Sequence, residues 1–581
     1  MKKLLVFLKN YKKETVLAPL FKLLEASFEL MIPLVVAAIV DQGIGQGDVS
    51  AVYRMGGIMV LLGVVGLIAA VTAQYFSAKA AVGFATELRS ALFGHIQGLS
   101  YTEIDTVGTS TLITRLTSDV NQVQSGVNMT LRLLLRSPFI VFGAMIMAFT
   151  VDVKSALIFL GVIPLLSLVV FGIMVITMPL YKQVQKSLDD VLKITRENLT
   201  GIRVIRAFHK EQEEIKEFDK ENKELTGVQL LVGKISGLMN PITYVIVNLG
   251  LVLLIHTGAL QVDIGTLTQG EVIALINYIS QILVELIKMA NLIVLITKAL
   301  SCANRISSVL EVQSSMKDEG TEKITEAQEI PILEFENVGF CYAGAGEASL
   351  SEIDFAVYPG ETVGVIGGTG SGKSTLVNLI PRFYDATEGM VRFHGKPIGD
   401  YETEELRERI GVVPQKTVLF KGTIRSNLQW GKENASEEEM KEALAASQSL
   451  EFVEKLEQFL DAPVTQGGKN FSGGQRQRLT IARALVRKPE ILILDDSTSA
   501  LDYVTDARLR KELKARKDSM TTFIVSQRTS SIQFADKIVV LEDGKIAGLG
   551  THKYLLEHCE VYQEIYDSQY QNVSEEEGAY E

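Results

Sequence analysis

Cysteine is scarce, with three residues in 581, at Cys302, Cys341 and Cys559. They are scattered without metal-ligand spacing. That excludes a disulfide framework and a cysteine metal site, and leaves reduced, buried thiols. Positive charge is not in excess either. The formal net charge of −12 excludes a general nucleic-acid binder. The start, Met-Lys-Lys-Leu-Leu-Val-Phe-Leu-Lys, lacks the long apolar run and small-residue cleavage site of a signal peptide, and Lys9, Lys12 and Lys13 follow at once. It reads instead as an amphipathic helix lying on the inner membrane face.

Apolar residues are plentiful. They make up 47% of the chain, with 22% charged and a mean hydropathy of +0.21. The length exceeds one ordinary domain, and an apolar half joined to a charged half explains the average. Apolar stretches centre on residues 17–40, 56–76, 133–150, 156–178, 242–260 and 272–296. Each approaches the roughly 20 residues that cross about 30 Å of hydrocarbon. Only helices satisfy their own backbone in lipid, so six transmembrane helices are expected rather than buried helices of a large soluble protein.

Lys and Arg are concentrated before the first span, between spans two and three, and between spans four and five. Lys79, Arg89, Arg115, Lys182, Lys186, Lys193, Arg196, Arg203, Arg206 and Lys210 belong to the two long connections. Residues 41–51 carry no Lys or Arg, and residues 151–155 carry only Lys154. The positive-inside rule then places both termini in the cytoplasm. The two long connections read as helices extending the spans, broken at small-polar clusters in 101–119 and 195–208. A short transverse helix at each break would touch a cytoplasmic partner; a solvated connector is the alternative.

Charges within the spans are few: Lys22, Glu25, Glu29, Arg136, Glu285 and Lys288. Lys22 and Arg136 lie near span ends, where they are expected to snorkel. Glu285 and Lys288 share a helical face and are expected to pair. Structural pairing is the expected role of Glu25 and Glu29, and lining a substrate path is the alternative.

After Ser315 a polar linker, 316–330, leads into short apolar runs at 332–335, 362–366, 391–394, 410–413, 491–494, 522–525 and 537–541, with helical stretches between several of them. An α/β domain over 331–570 follows, and an acidic, disordered tail over 571–581. Gly367, Gly368, Thr369, Gly370, Ser371, Gly372, Lys373, Ser374 and Thr375 fit G-x-x-x-x-G-K-S between a strand and a helix, the context that marks a phosphate loop. Backbone N–H groups and the helix N-terminus would hold phosphate oxygens. Lys373 would reach the β- and γ-phosphates of ATP and Ser374 would ligate Mg²⁺. Asp495, closing the apolar strand Ile491-Leu492-Ile493-Leu494, would hold the same Mg²⁺. Tyr342 is a candidate for stacking on adenine, with a core position as the alternative.

Phe471-Ser472-Gly473-Gly474-Gln475 makes the resemblance specific. The domain resembles the nucleotide-binding domain of the ATP-binding cassette (ABC) family. Gln415, after Val412-Val413-Pro414, matches its Q-loop and a further Mg²⁺ contact; Ser499-Ala500-Leu501-Asp502 matches its D-loop. The whole chain resembles an exporter half-transporter, also through Arg203-Val204-Ile205-Arg206-Ala207-Phe208 and Gly265-Thr266-Leu267-Thr268-Gln269-Gly270-Glu271. The resemblance implies a six-helix membrane domain with long cytoplasmic extensions, then an α/β P-loop ATPase domain. It also implies a dimer of cassettes in which one chain's phosphate loop and the other's Ser472, Gly473, Gly474 and Gln475 enclose ATP.

Two positions depart from the family pattern. Asp496 stands where the family has the glutamate that polarises the attacking water, and Gln527 where it has a histidine. The run Thr465-Gln466-Gly467-Gly468-Lys469-Asn470 also differs from the acidic version common in exporters. The paired change resembles the degenerate half of heterodimeric bacterial multidrug exporters. It implies a non-identical partner chain that keeps glutamate and histidine, a slow site here, surrounding membrane lipid, and hydrophobic or amphipathic cargo at the cell membrane. An ATP-gated channel or regulatory subunit, and a lipid or peptide exporter, are the alternatives.

Overall fold

A computed structural model describes residues 2–316, 320–324, 330–497 and 501–578. The chain divides into two units: Met1–Gln97 with Thr109–Val312, and Gly98–Gly108 with Gln313–Glu581.

The first unit is helical. Among the described residues, six of its helices are long and apolar enough to cross a membrane: α1 (Leu4–Ile44), α2 (Val49–Gln97) and, after the short α3 (Tyr101–Val107) of the second unit, α4 (Thr109–Val151) and α5 (Val153–Thr200), then, after the short α6 (Ile202–Ala207), α7 (Glu211–Ile264) and α8 (Gln269–Glu311). At about 1.5 Å per residue, all six outrun the bilayer. The extensions and both short helices therefore match what the sequence implies. Local chemistry sets several breaks. Ser100 and Glu103 form a capping box that starts α3, and Gly108, at φ 81°, ends it. Thr268 and Glu271 cap α8 in the same way. Asp41 at the end of α1 accepts from the Gly270 N–H at 2.8 Å and the Thr268 hydroxyl at 2.6 Å, tying α1 to α8.

Lys22 and Arg136 do not snorkel. Both are buried, because each finds carboxylates on neighbouring turns or helices. Lys22 pairs with Glu25. The Arg136 guanidinium on α4 donates to Glu29 on α1 at 2.6 Å and to Glu285 on α8 at 2.7 Å. Glu285 also accepts from Ser137 at 2.8 Å and Lys288 at 2.8 Å. A fork-shaped, always-charged donor satisfies two carboxylates from two helices at once, as lysine's point charge does less readily. Nearby, the Tyr278 hydroxyl donates to the Leu30 carbonyl at 2.8 Å, one turn before Pro33, which lies inside the continuous α1.

The second unit contains twelve strands among its described residues. One sheet has the order β2-β1-β4-β5: β1 (Leu333–Phe340), β2 (Leu350–Val357), β4 (Glu388–Phe393) and β5 (Lys396–Pro397), all antiparallel. The other has the order β12-β11-β3-β10-β9-β6: β3 (Thr362–Gly367), β6 (Ile410–Val413), β9 (Ile491–Asp495), β10 (Thr521–Val525), β11 (Lys537–Glu542) and β12 (Lys545–Gly550). Only β12 is antiparallel there. A small ladder pairs β7 (Gly422–Thr423) with β8 (Pro463–Val464).

Five of these strands were absent from the sequence reading. β2, Leu-Ser-Glu-Ile-Asp-Phe-Ala-Val, interleaves acidic residues; β12 is an edge containing Gly548 and Gly550; β5, β7 and β8 are two residues long. The last helix runs Glu560–Gly578, so the acidic segment expected to be disordered is helical to Gly578, and residues 579–581 lie outside the described ones. The linker's residues 317–319 and 325–329 also lie outside them.

Within this unit α3 packs on the cassette. The Tyr101 ring lies 4.8 Å from Phe383 and 6.0 Å from Tyr384. The Tyr384 hydroxyl donates to Asp105 at 2.6 Å, and Glu103 accepts from the Ser315 N–H at 3.1 Å. Burial and the Asp105 bond push the Tyr384 phenol well above its ordinary range.

Arg136→Leu is expected to cost about 3–5 kcal/mol, because it strands Glu285 and Glu29 without their cation. Thermal unfolding of the purified protein reads this. The double replacement Arg136→Leu/Glu285→Leu should recover part of the loss.

Candidate functional site

β3 ends at Gly367, the loop 368–372 follows, and α9 (Lys373–Leu379) begins. Glycine is required by a close approach at one position and by backbone conformation at another. A Cβ at Gly367 would lie 2.1 Å from the Leu541 carbonyl oxygen, and Gly372, the residue before α9, has φ 94°. The loop borders a cavity of about 350 Å³ lined by Tyr342, Ser349, Thr369, Gly370, Gly372, Lys373, Ser374, Thr375, Gln415, Asp495, Asp496, Val525, Ser526 and Gln527. Ser349 and Ser526 carried no motif signal and were missed by the sequence reading.

The Lys373 ammonium donates to the Gly367 carbonyl at 2.9 Å, to the Gly368 carbonyl, and to the Ser371 hydroxyl at 3.3 Å. Burial lowers its pKa, opposed by the charges of Asp496 and Asp495. The Ser374 hydroxyl donates to Asp495 at 3.1 Å. Burial raises the Asp495 pKa; the Ser374 bond opposes this, the Asp496 charge adds to it, and Lys373 opposes it. A hydroxyl and a buried carboxylate side by side at a phosphate loop are the oxygen donors that a hard divalent cation takes, so the residues fit Mg²⁺.

Asp496 has φ 46°, a left-handed conformation that aspartate tolerates better than most residues, and its N–H donates to the Val525 carbonyl at 3.0 Å. The Gln415 amide reaches Asp496 at 3.4 Å. Gln527 follows β10 into the same cavity. The Tyr342 ring is edge-on to Phe340 and Tyr384, and its hydroxyl lies 3.1 Å from the Thr375 hydroxyl. It both packs against the core and faces the cavity.

The remaining sequence candidates lie outside the cavity lining. Ser472, Gly473, Gly474 and Gln475 open α10 (Gly473–Leu485), where Ser472 accepts from the Gln475 N–H at 3.3 Å and Gln475 accepts from the Ser472 N–H at 2.9 Å. This capping box holds the motif as a helix start, with Ser472 and Gly473 exposed. Asp502 caps the helix Tyr503–Ala515 through Thr505. Ser499 and Ala500 lie outside the described residues.

Two families match the chain: "ABC transporter transmembrane region" over residues 15–286 and "ABC transporter" over residues 350–499. YfiB of Bacillus subtilis, described as an uncharacterized ABC transporter ATP-binding protein, is 38% identical over 570 residues, covering 98% of this chain and 99% of its own. The chain belongs to the ABC transporter family. It is a multi-pass membrane protein whose second unit is a P-loop ATPase domain, and its order of membrane unit and single cassette is that of a half-transporter. An ATP-dependent lipid A-core flippase of Hahella chejuensis is 33% identical over 497 residues, covering 85% of this chain and 84% of the flippase. A bacterial Atm1-family ABC exporter solved with ATP bound superimposes with a TM-score of 0.76 at 23% identity, covering 96% of this chain and 98% of that one. The transporter therefore has the exporter fold.

Because Asp495 is costly to ionise in the fold, its contribution to stability is fully present below the ordinary pKa of 3.8 and is lost as pH rises through the raised folded value. Asp495→Asn should therefore raise the unfolding temperature of the nucleotide-free transporter at neutral pH, with the gain fading as pH falls toward 3.8. The same variant should lose the extra stabilisation that MgATP gives over ATP in EDTA. Thermal unfolding at several pH values reads both effects.

Proposed function

We propose that this chain is one half of a heterodimeric ABC exporter of hydrophobic or amphipathic compounds, and that it carries the hydrolysis-impaired ATP site. Lys373 and the 367–372 loop hold the triphosphate. Ser374, Asp495 and Gln415 ligate Mg²⁺, and Tyr342 stacks on adenine. Ser472 and Gly473, which are exposed, and the half-buried Gly474 and Gln475, with Asp502, complete the site of a partner chain that keeps glutamate and histidine. Both termini are cytoplasmic, and the exposed α6 with Phe208 is offered to that partner. Closure of the paired cassettes draws the short helices together and turns the membrane helices outward; hydrolysis resets them.

One observation carries this reading. Asp496 and Gln527, the two departures from the family pattern, line one cavity with Lys373 and Asp495. A carboxylate shorter by one methylene sits about 1 Å back from the attacking water, a displacement that can cost about 10²-fold in rate. A neutral amide at 527 offers no titrating partner to the γ-phosphate.

A lipid cargo is the second reading, favoured by the similarity to the lipid A-core flippase of Hahella chejuensis. ATP-dependent uptake of a hydrophobic dye or of a labelled lipid into inside-out vesicles separates the two, and a pore that merely gates would accumulate neither.

Asp496→Glu/Gln527→His is expected to raise single-turnover hydrolysis in the assembled transporter by about ten- to a hundredfold. The measurement is made with the partner's catalytic glutamate replaced by glutamine. No rise locates the impairment elsewhere. Brisk turnover and pumping by this chain alone sink the heterodimer.

A further inference from the structure

The helix Glu560–Gly578 lies far along the chain from every nucleotide motif, yet it packs against β3, β11, β12 and the turn Thr529–Ser531. Its first turns are firmly seated. Tyr562 is fully buried in the cassette core, its hydroxyl 2.7 Å from His552 Nδ1, with Val561 and Ile565 packed beside it. Two turns on, Gln569 reaches the segment that carries Gln527.

Gln569 makes three bonds there. Its Oε1 accepts from the Thr529 N–H at 2.9 Å and from the Thr529 hydroxyl at 2.9 Å. Its Nε2 donates to the Gln527 carbonyl at 2.8 Å. A carboxamide carries an acceptor and a donor on one planar group, and both are used here. The bonds fall on either side of Arg528, clamping the backbone where Gln527 turns its side chain to the cavity. The Arg510 guanidinium holds the next residue, donating to the Ser530 carbonyl at 2.8 Å, and the Ser526 N–H is fixed on the Val365 carbonyl at 3.1 Å. Of these contacts, Gln569 alone bonds the backbone of Gln527 itself.

We propose that Gln569 is a positioning residue for the ATP site. From the last helix it fixes the backbone of Gln527, so that the Gln527 amide is presented to the γ-phosphate. This rests on the reading of the cavity as an ATP site and deepens it. It makes the site's sensing of the terminal phosphate depend on a helix that does not line the cavity.

The test is competition of ATP and of ADP against TNP-ATP on the purified full chain, whose cassette supplies one site. Gln569→Ala and the isosteric Gln569→Glu should each weaken ATP by about three- to fivefold, the size of one lost hydrogen bond, and leave ADP unchanged. Gln569→Glu keeps the acceptor for Thr529 but sets a carboxylate against the Gln527 carbonyl, so size alone does not rescue it. In a Gln527→Ala chain, which should itself have lost the preference, neither replacement should add anything. Equal weakening of ATP and ADP overturns the positioning role. So does the same loss in the Gln527→Ala background, a Gln569→Glu chain with native affinities, or a Gln527→Ala chain with an unchanged ATP preference. Each of these leaves the ATP-site reading standing, whereas a native chain that binds no TNP-ATP overturns that reading and the proposal together.

Discussion

The candidate site depends on the parallel register of three neighbouring strands. β10 is flanked by β3 and β9, with Val525 paired to Val365 on one side and Asp495 on the other. β9 and β10 therefore stop at one level, and β3 runs two residues further, to Gly367. The phosphate loop leaves from β3, Ser526 and Gln527 from β10, and Asp496 from β9. Ligands in such sheets sit beyond the carboxyl ends of the strands for this reason. β10 is buried along its whole length and β9 likewise, so a slip of one residue would push core side chains out and take Asp495 away from Ser374.

From that edge, contacts lead in two directions within the cassette. Tyr342 lines the cavity and meets Tyr384 edge-on; Tyr384 is bonded to Asp105 of α3 and lies near the Tyr101 ring. A shift of the cavity-facing Tyr342 ring is thus relayed through Tyr384 to a helix whose sequence neighbours on both sides are long membrane-capable helices. On the other side Gln569 bonds the backbone of Gln527. Both routes use short polar bonds seated on a close-packed core, which responds to displacement by switching between arrangements rather than by yielding smoothly.

How much of this was legible in the sequence follows from the range of each interaction. The six spans were readable because partition into hydrocarbon is a property of each segment alone. The phosphate loop was readable because its chemistry needs glycines, a lysine and a serine at adjacent positions. The short breaks α3 and α6 showed as small-polar clusters. By contrast, Arg136 was expected to snorkel because nothing local announces Glu29 and Glu285, which approach it from other helices. β2 escaped notice because its partner β1 and its acidic positions matter only once the sheet exists. Gln569 meets residues about forty positions earlier, and no motif spans that distance. The Ser472 capping box was written in the sequence as Ser-x-x-Gln.

The two departures from the family pattern differ in physical kind. Gln527 changes the chemistry at its position, exchanging an imidazole that can carry a proton for an amide that cannot. Asp496 keeps the charge and changes its reach. It also stands at φ 46° with Gln415 beside it, so its shortened carboxylate remains in the cavity and continues to act on Lys373 and Asp495. Under the proposed reading, triphosphate and metal binding survive because loop, lysine and buried aspartate are intact, while the step that needs a water placed to within a fraction of an ångström fails. In that reading, a site that hydrolyses its ATP slowly would keep one side of the cassette pair closed through successive turnovers of the other. The cost of reopening both interfaces would then not be met at every cycle, and this half-transporter would gain from weakening an activity that the proposed partner keeps.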